Sequence, residues 1–282
     1  MANRIGRRML AAGGAALLPA AGLVASARAQ GAGESTLDRI RRTKTLRIAA
    51  LPGELPYFQK DISSGAWSGA AIEMANSIAK LLDAKLEYTE ATYGTSVLDV
   101  QTGKIDLAFA LNPTPERALA VRFTHPMLIH PFGCLAKPGL EPKTWADINK
   151  PDIRIAFDIG SLHETVAKRF APNAQHVGFP NRDQALLALQ AGRADVDILA
   201  ALLGLSATAK NPSLGHWDLL QQPTVALPSS LACQYEADTR FVDMLNAWLD
   251  FNRGIGQLRE WLIDGLELEG VKRDQIPPEL TF

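Results

Sequence analysis

Apolar positions in this chain fall into short runs separated by polar stretches of helical period, and the two kinds alternate. Leu46 to Leu51 is a run of buried-strand type, Gly69 to Leu82 places Met74, Ile78, Leu81 and Leu82 on one helical face, and Leu86 to Tyr88 is the next strand. A helix is predicted over Thr95 to Thr102, a strand over Leu107 to Leu111 and a short helix from Pro115; Pro138 to Pro142 reads as a linker. The alternation then resumes with Trp145-Ala146-Asp147-Ile148, strand Ile153 to Phe157, helices Ser161 to Phe170 and Asp183 to Ala191, and strand Val196 to Ala200. Strand Leu231 to Tyr235 precedes two helices, Thr239 to Asn252 and Gly256 to Leu266, which are expected to return to the first lobe, while the tail from Arg273 runs as a surface strap. Such alternation predicts mostly parallel sheet with helices on both faces.

One six-residue pattern occurs twice, as Gln101-Thr102-Gly103-Lys104-Ile105-Asp106 and as Gln190-Ala191-Gly192-Arg193-Ala194-Asp195, each followed by an apolar run. In both copies a helix ends at a glycine able to adopt the left-handed conformation, and a buried strand follows. The repeat predicts two similarly built lobes facing each other across a cleft, where ligands of open α/β sheets bind. Ordinary helix-to-strand punctuation, repeated by chance, would produce the same letters.

The first 29 residues stand apart from this pattern. Arg7-Arg8 precede a mild Ala/Gly/Leu stretch, no acid occurs before Glu34, and Ala27-Arg28-Ala29 offers small residues for cleavage. These features predict an export signal of twin-arginine type over residues 1–29 and a periplasmic destination. Pro19 interrupts the apolar run, and nothing later approaches the roughly 20 apolar residues of a spanning helix. Removing residues 1–29, with four arginines, moves the formal charge from −1 to −5, a mildly acidic balance with no nucleic-acid signature. Two cysteines remain, Cys134 and Cys233, both in strand-like runs. If these runs are the two crossings between lobes they would lie side by side and form a disulfide; two buried thiols are the other reading.

Chemistry concentrates in two segments. In Ala110-Leu111-Asn112-Pro113-Thr114-Pro115-Glu116-Arg117 a strand gives way to a helix, with Thr114 suited to the N-cap and Pro115 to the first helical position. Arg117 then stands in the first turn, where a guanidinium can meet a carboxylate through two parallel hydrogen bonds or pair with a neighbouring acid. Gly160-Ser161-Leu162-His163-Glu164 matches a capping box after a strand, and its free N–H groups face the same cleft. The five histidines, His125, His130, His163, His176 and His216, show no metal spacing and read as loop residues. No nucleophile motif or phosphate loop occurs, so no catalytic residue, metal or cofactor is expected.

In these segments the chain resembles the family 3 periplasmic solute-binding proteins, receptors of polar amino-acid ABC transporters. The resemblance is carried by Leu37-Asp38-Arg39-Ile40-Arg41-Arg42, Leu46-Arg47-Ile48, Gly69 with Glu73, Gln101 to Ala108, Thr114 to Ala118, Phe123-Thr124, Trp145 to Ile148, Gly160-Ser161 and Ala191 to Asp195, covering residues 37 to about 266. It implies a periplasmic-binding-protein type II fold: two Rossmann-like α/β lobes with a central cleft, joined by two hinge strands. Lobe 1 is expected over residues 37–134 and 235–282, and lobe 2 over 135–234. It further implies a monomer that takes a small carboxylate ligand to an ABC permease. Arg117 would hold the carboxylate, with help from Ser161 and backbone groups of Ala110 and Asn112.

Departures from the family pattern matter as much. Asn112 and Leu162 stand where hydroxyl residues are usual, and Ala200 where α-amino-acid binders carry an aspartate for the ammonium. An unpaired ammonium in a closed cleft is costly, so another acid replaces it or the guest lacks the amine. Glu54, at a position usually aromatic, and Asp158 are the candidate acids, and Tyr93 the ring that packs on the ligand. Three functions fit: a receptor for an amino acid or related organic acid, an exported dehydratase acting on a cyclic carboxylic acid through Glu54 or Asp158, or an accessory binding subunit of a periplasmic dehydrogenase.

Overall fold

The computed structural model describes residues 33 to 281; the export signal expected over 1–29 lies outside the described residues. The elements run α1 (Thr36–Thr43), β1 (Thr45–Ala50), β2 (Gln59–Lys60), β3 (Trp67–Ser68), α2 (Ala70–Leu81), β4 (Lys85–Glu90), α3 (Tyr93–Gln101), β5 (Leu107–Leu111), α4 (Pro115–Ala118) and β6 (Val121–Ala136). They continue with α5 (Trp145–Ile148), β7 (Arg154–Asp158), α6 (Leu162–Phe170), β8 (Gln175–Phe179), α7 (Arg182–Gln190), β9 (Val196–Ala200), α8 (Ala201–Lys210), β10 (His216–Leu219), β11 (Ala226–Gln234), α9 (Arg240–Gly254) and α10 (Gln257–Leu268). The strands line up in the order β4-β1-β5-β11-β6-β9-β7-β8, with β10 also on β6.

Two α/β lobes share this path because β6 changes partners along its length. Its first part, Val121 to Pro131, pairs antiparallel with β11, which continues to β5 and the parallel β1 and β4. From Phe132 to Ala136 the same strand pairs instead with β9, beyond which β7 and β8 are parallel. Residues 226–234, expected in the second lobe, thus hydrogen-bond to β5 and β6 beside the first lobe's sheet. Ile48, Met74, Phe109, Leu245 and Leu262 belong to one buried apolar cluster, which runs on to Leu189, Leu199 and Leu203 of the second lobe, and Phe132, Trp145, Ile155, Val166 and Ile198 belong to another within the second lobe. The C-terminal helices pack with the first of these, and the tail is tied down where Ile129 and Thr281 exchange backbone hydrogen bonds of 2.7 and 2.9 Å.

The repeated hexapeptide has a structural meaning. In each lobe its glycine, Gly103 or Gly192, takes a positive φ of 70° or 69° and turns the chain off a helix. Its aspartate is then buried beside the first strand of the lobe: Asp106 Oδ2 accepts from Arg47 N at 2.8 Å, and Asp195 Oδ2 from Arg154 N at 2.8 Å. Each arginine side chain returns to the same carboxylate, Arg47 Nη2 at 2.6 Å and Arg154 Nη2 at 2.8 Å. The hydrogen bonds from Arg154, with Lys137 at 2.5 Å, hold Asp195 well below the usual carboxylate range against the opposing effect of burial. A chance recurrence would not reproduce the same backbone and side-chain bonds from one arginine in both lobes.

Cys134 and Cys233 do not meet, which corrects the disulfide expectation. Both are free and buried. Cys233 pairs with Arg122, and Cys134 lies 12 residues further along β6 opposite Ile198. At about 3.3 Å per residue that is more than roughly 30 Å of strand, far beyond disulfide reach. Burial raises both thiols, that of Cys233 to about 12, so neither forms a reactive thiolate near neutrality. Without reductant, a thiol reagent is therefore expected to titrate two thiols per chain after denaturation and almost none before it. Recovery of fewer than two from the denatured chain would signal a bridge.

Candidate functional site

Where the lobes meet, five segments bring polar side chains out of water. Glu54 comes from the loop after β1, Tyr93 from the start of α3, Arg117 from α4, Asp158 from the end of β7 and Ser161 from the N-cap of α6. The approach is close: Gly160, with φ +78°, would bring a Cβ to 3.1 Å from Gly94 Cα across the cleft, so glycine at both positions lets backbone touch backbone.

Arg117 reaches over this junction. Thr114 caps α4 through Arg117 N at 3.2 Å, which fixes the first turn, and Pro115 opens the helix as predicted. The guanidinium donates from Nη1 to the carbonyl of Asn112 at 3.1 Å and from Nη2 to the carbonyl of Gly160 at 2.8 Å. It forms no ion pair with an acid among the described residues, and burial lowers its pKa from the ordinary value. Ala110 holds a φ of +57° at the end of β5, an uncommon backbone state for a residue with a Cβ, and Asn112 is tied by Nδ2 to the carbonyl of Pro228 at 2.7 Å. Ser161 is occupied as a cap: its hydroxyl donates to Asp158 O at 2.7 Å and accepts from Glu164 N at 3.3 Å. The reciprocal bond to Glu164 comes from Gly160 N at 2.8 Å, one residue earlier than in the predicted box.

The centre of the site is a residue the sequence reading passed over. Arg182 opens α7 after the Asn181 cap and is 2% exposed. Its Nη1 donates to Asp197 Oδ1 at 3.1 Å, its Nη2 donates to Asp158 Oδ1 and to His163 Nδ1 at 2.7 Å, and its Nε lies 3.7 Å from Glu54 Oε1 without a hydrogen-bond partner. Since a guanidinium only donates, Nδ1 of His163 accepts and the imidazole proton sits on Nε2. Tyr93 donates its hydroxyl to Glu54 Oε2 at 3.1 Å and meets the His163 ring edge-on, with centroids 6.2 Å apart. His130 and His163 are not loop residues: they lie in β6 and α6, both are buried, and Phe132 stands between their rings at 5.4 and 5.5 Å. Asp197 did leave a signal, an acid in the middle of the apolar run Val196 to Ala200, where burial demands a partner.

Protonation divides the three acids. Burial drives Glu54 up to about 8 and Asp197 to about 7, outweighing the attraction of Arg182 in both cases. Burial works the same way on Asp158, but Arg182 overcomes it and keeps that carboxylate ionised. Burial also pushes His130 down to about 3 and lowers His163, which Arg182 depresses further, so both rings are neutral. A cavity of about 340 Å³ opens beside Glu54, Tyr93, Asp158 and Arg182, and another of about 620 Å³ lies behind Arg182 against Phe58, Leu186 and Leu203. Among the described residues no group of three His, Cys, Asp or Glu is placed to hold a metal ion.

A model of the bacterial extracellular solute-binding proteins, family 3, matches residues 46–266. The cyclohexadienyl dehydratase of Pseudomonas aeruginosa is 26% identical over 248 residues, 87% of this chain and 91% of that protein. Among solved structures, an ancestral amino acid-binding protein described as a precursor of cyclohexadienyl dehydratase is 28% identical with a TM-score of 0.72, covering 84% of this chain and all of that one. The binding component of an ABC transporter from Wolinella succinogenes, complexed with lysine, is 26% identical with a TM-score of 0.72, covering 80% and 99%.

The shifted carboxyl of Glu54 has a consequence for stability. Its folded-state pKa lies above its unfolded value, so the folded chain keeps a proton that the unfolded chain releases, and stability falls as pH rises between those values. Asp197 acts similarly up to about pH 7, whereas the buried histidines act below pH 6.5, where they cost stability as pH falls. Between pH 7 and 8 the slope therefore reports mainly Glu54. The melting temperature is expected to drop across that interval, and Glu54→Gln to flatten the drop; an unchanged slope in the variant would remove Glu54 from the account.

Proposed function

The chain belongs to the bacterial extracellular solute-binding proteins, family 3, and from that premise we propose that it is an exported, periplasmic, monomeric receptor. It captures a small carboxylate-bearing solute, an amino acid or a related organic acid, by closing its lobes and presents the solute to an ABC permease. The twin-arginine signal over residues 1–29 would deliver it. The hinges would lie near Pro131 and Phe132 in β6 and between β10 and β11, where the strands change partners.

The observation that carries this reading is Arg117, a partly buried guanidinium at the lobe junction that satisfies itself on two carbonyls and meets no carboxylate. A guest carboxylate would exchange those bonds to uncharged acceptors for an ion pair with two parallel hydrogen bonds, and the gain exists only when guest and both lobes are together. Backbone groups at Ala110 and Asn112 and the ring of Tyr93 would complete the wall around it. With small carboxylic acids as probes, the wild type is expected to show a rise in melting temperature that Arg117→Ala loses, while the ligand-free melting point changes little. Equal stabilisation of both forms would defeat the assignment.

A second reading, dehydration of a cyclic carboxylic acid, is favoured by Glu54. A carboxyl that keeps its proton to about pH 8 inside the cleft can hand it to a leaving hydroxyl, which departs as water. With prephenate the ring carboxylate would leave as carbon dioxide while the hydroxyl departs as water, the broken C–C bond supplying the electrons of the new ring double bond; the aromatic 2-oxo acid would appear as a new ultraviolet band, and Glu54→Gln would abolish it. An unchanged spectrum with the wild type leaves binding alone.

A further inference from the structure

The acids of the cleft are already engaged by a cation that belongs to the chain. Asp158 from β7 and Asp197 from β9 both hydrogen-bond Arg182, and Glu54, from the loop after β1, lies 3.7 Å from its Nε. Glu54 gives its other oxygen to Tyr93. Of the other acids lining the adjoining cavities, Glu90 is exposed and paired with Lys60, and Asp183 is exposed and lines the larger cavity, not the one beside Glu54 and Asp158. Ala200, where an ammonium-binding acid would stand, offers a fully buried methyl group and caps α8 without a side-chain bond. A guest ammonium closing on the cavity beside Glu54, Tyr93 and Asp158 would find those carboxyl groups held by Arg182 and Tyr93 and would sit beside a guanidinium of like charge.

Of the three nitrogens of the Arg182 guanidinium one is left over, and it is a donor. Arg182 Nε is buried and unpartnered. Leaving such a group unsatisfied costs free energy that a guest's uncharged acceptor oxygen would recover.

We propose that Arg182 is the resident cation of this cleft, standing where a cationic guest group would otherwise bind, and that it restricts the guest to carboxylates bearing a neutral acceptor oxygen, such as 2-oxo or 2-hydroxy acids, in place of an amine. The inference rests on carboxylate capture by Arg117 and names the class of solute captured. In this arrangement Arg117 takes the carboxylate from the first lobe, and Arg182 Nε takes the adjacent oxygen from the second. Arg182 is a specificity-determining residue here.

The test compares acids of one carbon skeleton that differ only at the second carbon, as 2-oxo, 2-hydroxy and 2-amino forms, by thermal shift and calorimetric titration of the purified chain at neutral pH. The oxo or hydroxy form is expected to raise the melting temperature by several degrees and to bind at least about tenfold more tightly than the amino form. Arg182→Gln, which frees the acids, is expected to narrow or invert that ratio, whereas Arg182→Lys, which keeps the charge, preserves the exclusion of the amine. An amino form that binds the wild type as well as or better than its oxo and hydroxy partners overturns the inference and leaves carboxylate capture standing. No shift with any form across a range of skeletons overturns capture itself, and the inference with it. Because the comparison is made first on the wild type, a variant that fails to fold does not blunt it.

Discussion

A guanidinium removed from water must be compensated at once, and the burial of Arg182 sets that demand at the point where the two lobes meet. Its partners arrive from β7, β9, α6 and the loop after β1, so the residue couples strands of one lobe to a loop of the other. Three carboxyl groups around one cation would carry excess negative charge if all were ionised. The site avoids this by keeping Asp158 ionised and holding Glu54 and Asp197 as acids near neutrality. The neutral histidines follow from the same constraint, because a second positive charge beside Arg182 would undo the balance.

The sequence carried the framework of the fold well. Helical periodicity from Gly69 to Leu82 and apolar runs at Leu46, Leu107 and Val196 correspond to α2, β1, β5 and β9, because a half-buried helix and a fully buried strand leave different spacings. The hexapeptide repeat pointed to two equivalent lobes, and the shared lock of Asp106 on Arg47 and Asp195 on Arg154 explains why those letters recur. What escaped were strands whose composition argues against them. β6 contains Pro126 and Pro131, which read as turn residues, yet the strand passes through irregular pairing beside Pro126 and changes sheets after Pro131. β8 and β10 are short and partly exposed, with no apolar run to announce them.

For the site, legibility followed the local chemistry. Arg117 was visible because its surroundings, a strand end, an N-cap and a proline, are contiguous in sequence. Arg182 lies in Asn181-Arg182-Asp183, which reads as the capped start of a surface helix, and its partners are 15 to 128 positions away, at Asp197 and Glu54. Ser161 and Asn112 are spent on local bonds, the first on Asp158 O and its own helix and the second on Pro228. A hydroxyl or amide with good local partners gains less from a guest than one without, so these two shape the wall more than they grip.

The distribution of unsatisfied groups decides what closure can gain. Polar and close backbone contacts between the lobes at this point include a guanidinium on a carbonyl, a near-neutral Glu54 held short of hydrogen-bond range from Arg182, and glycine against glycine, beside the edge-on Tyr93 and His163 rings. None of these is strong enough alone to hold a cleft shut, because each replaces a hydration bond of similar worth. The two donors that would gain most from a guest stand on opposite lobes: Arg117, which has only carbonyls, and Arg182 Nε, which has nothing. A molecule offering both a carboxylate and a second acceptor would engage the two at once, and its binding energy would then be realised only in the closed state. That coupling is what turns a pair of hinged lobes into a receptor, and it depends on the donors remaining unsatisfied until the guest arrives.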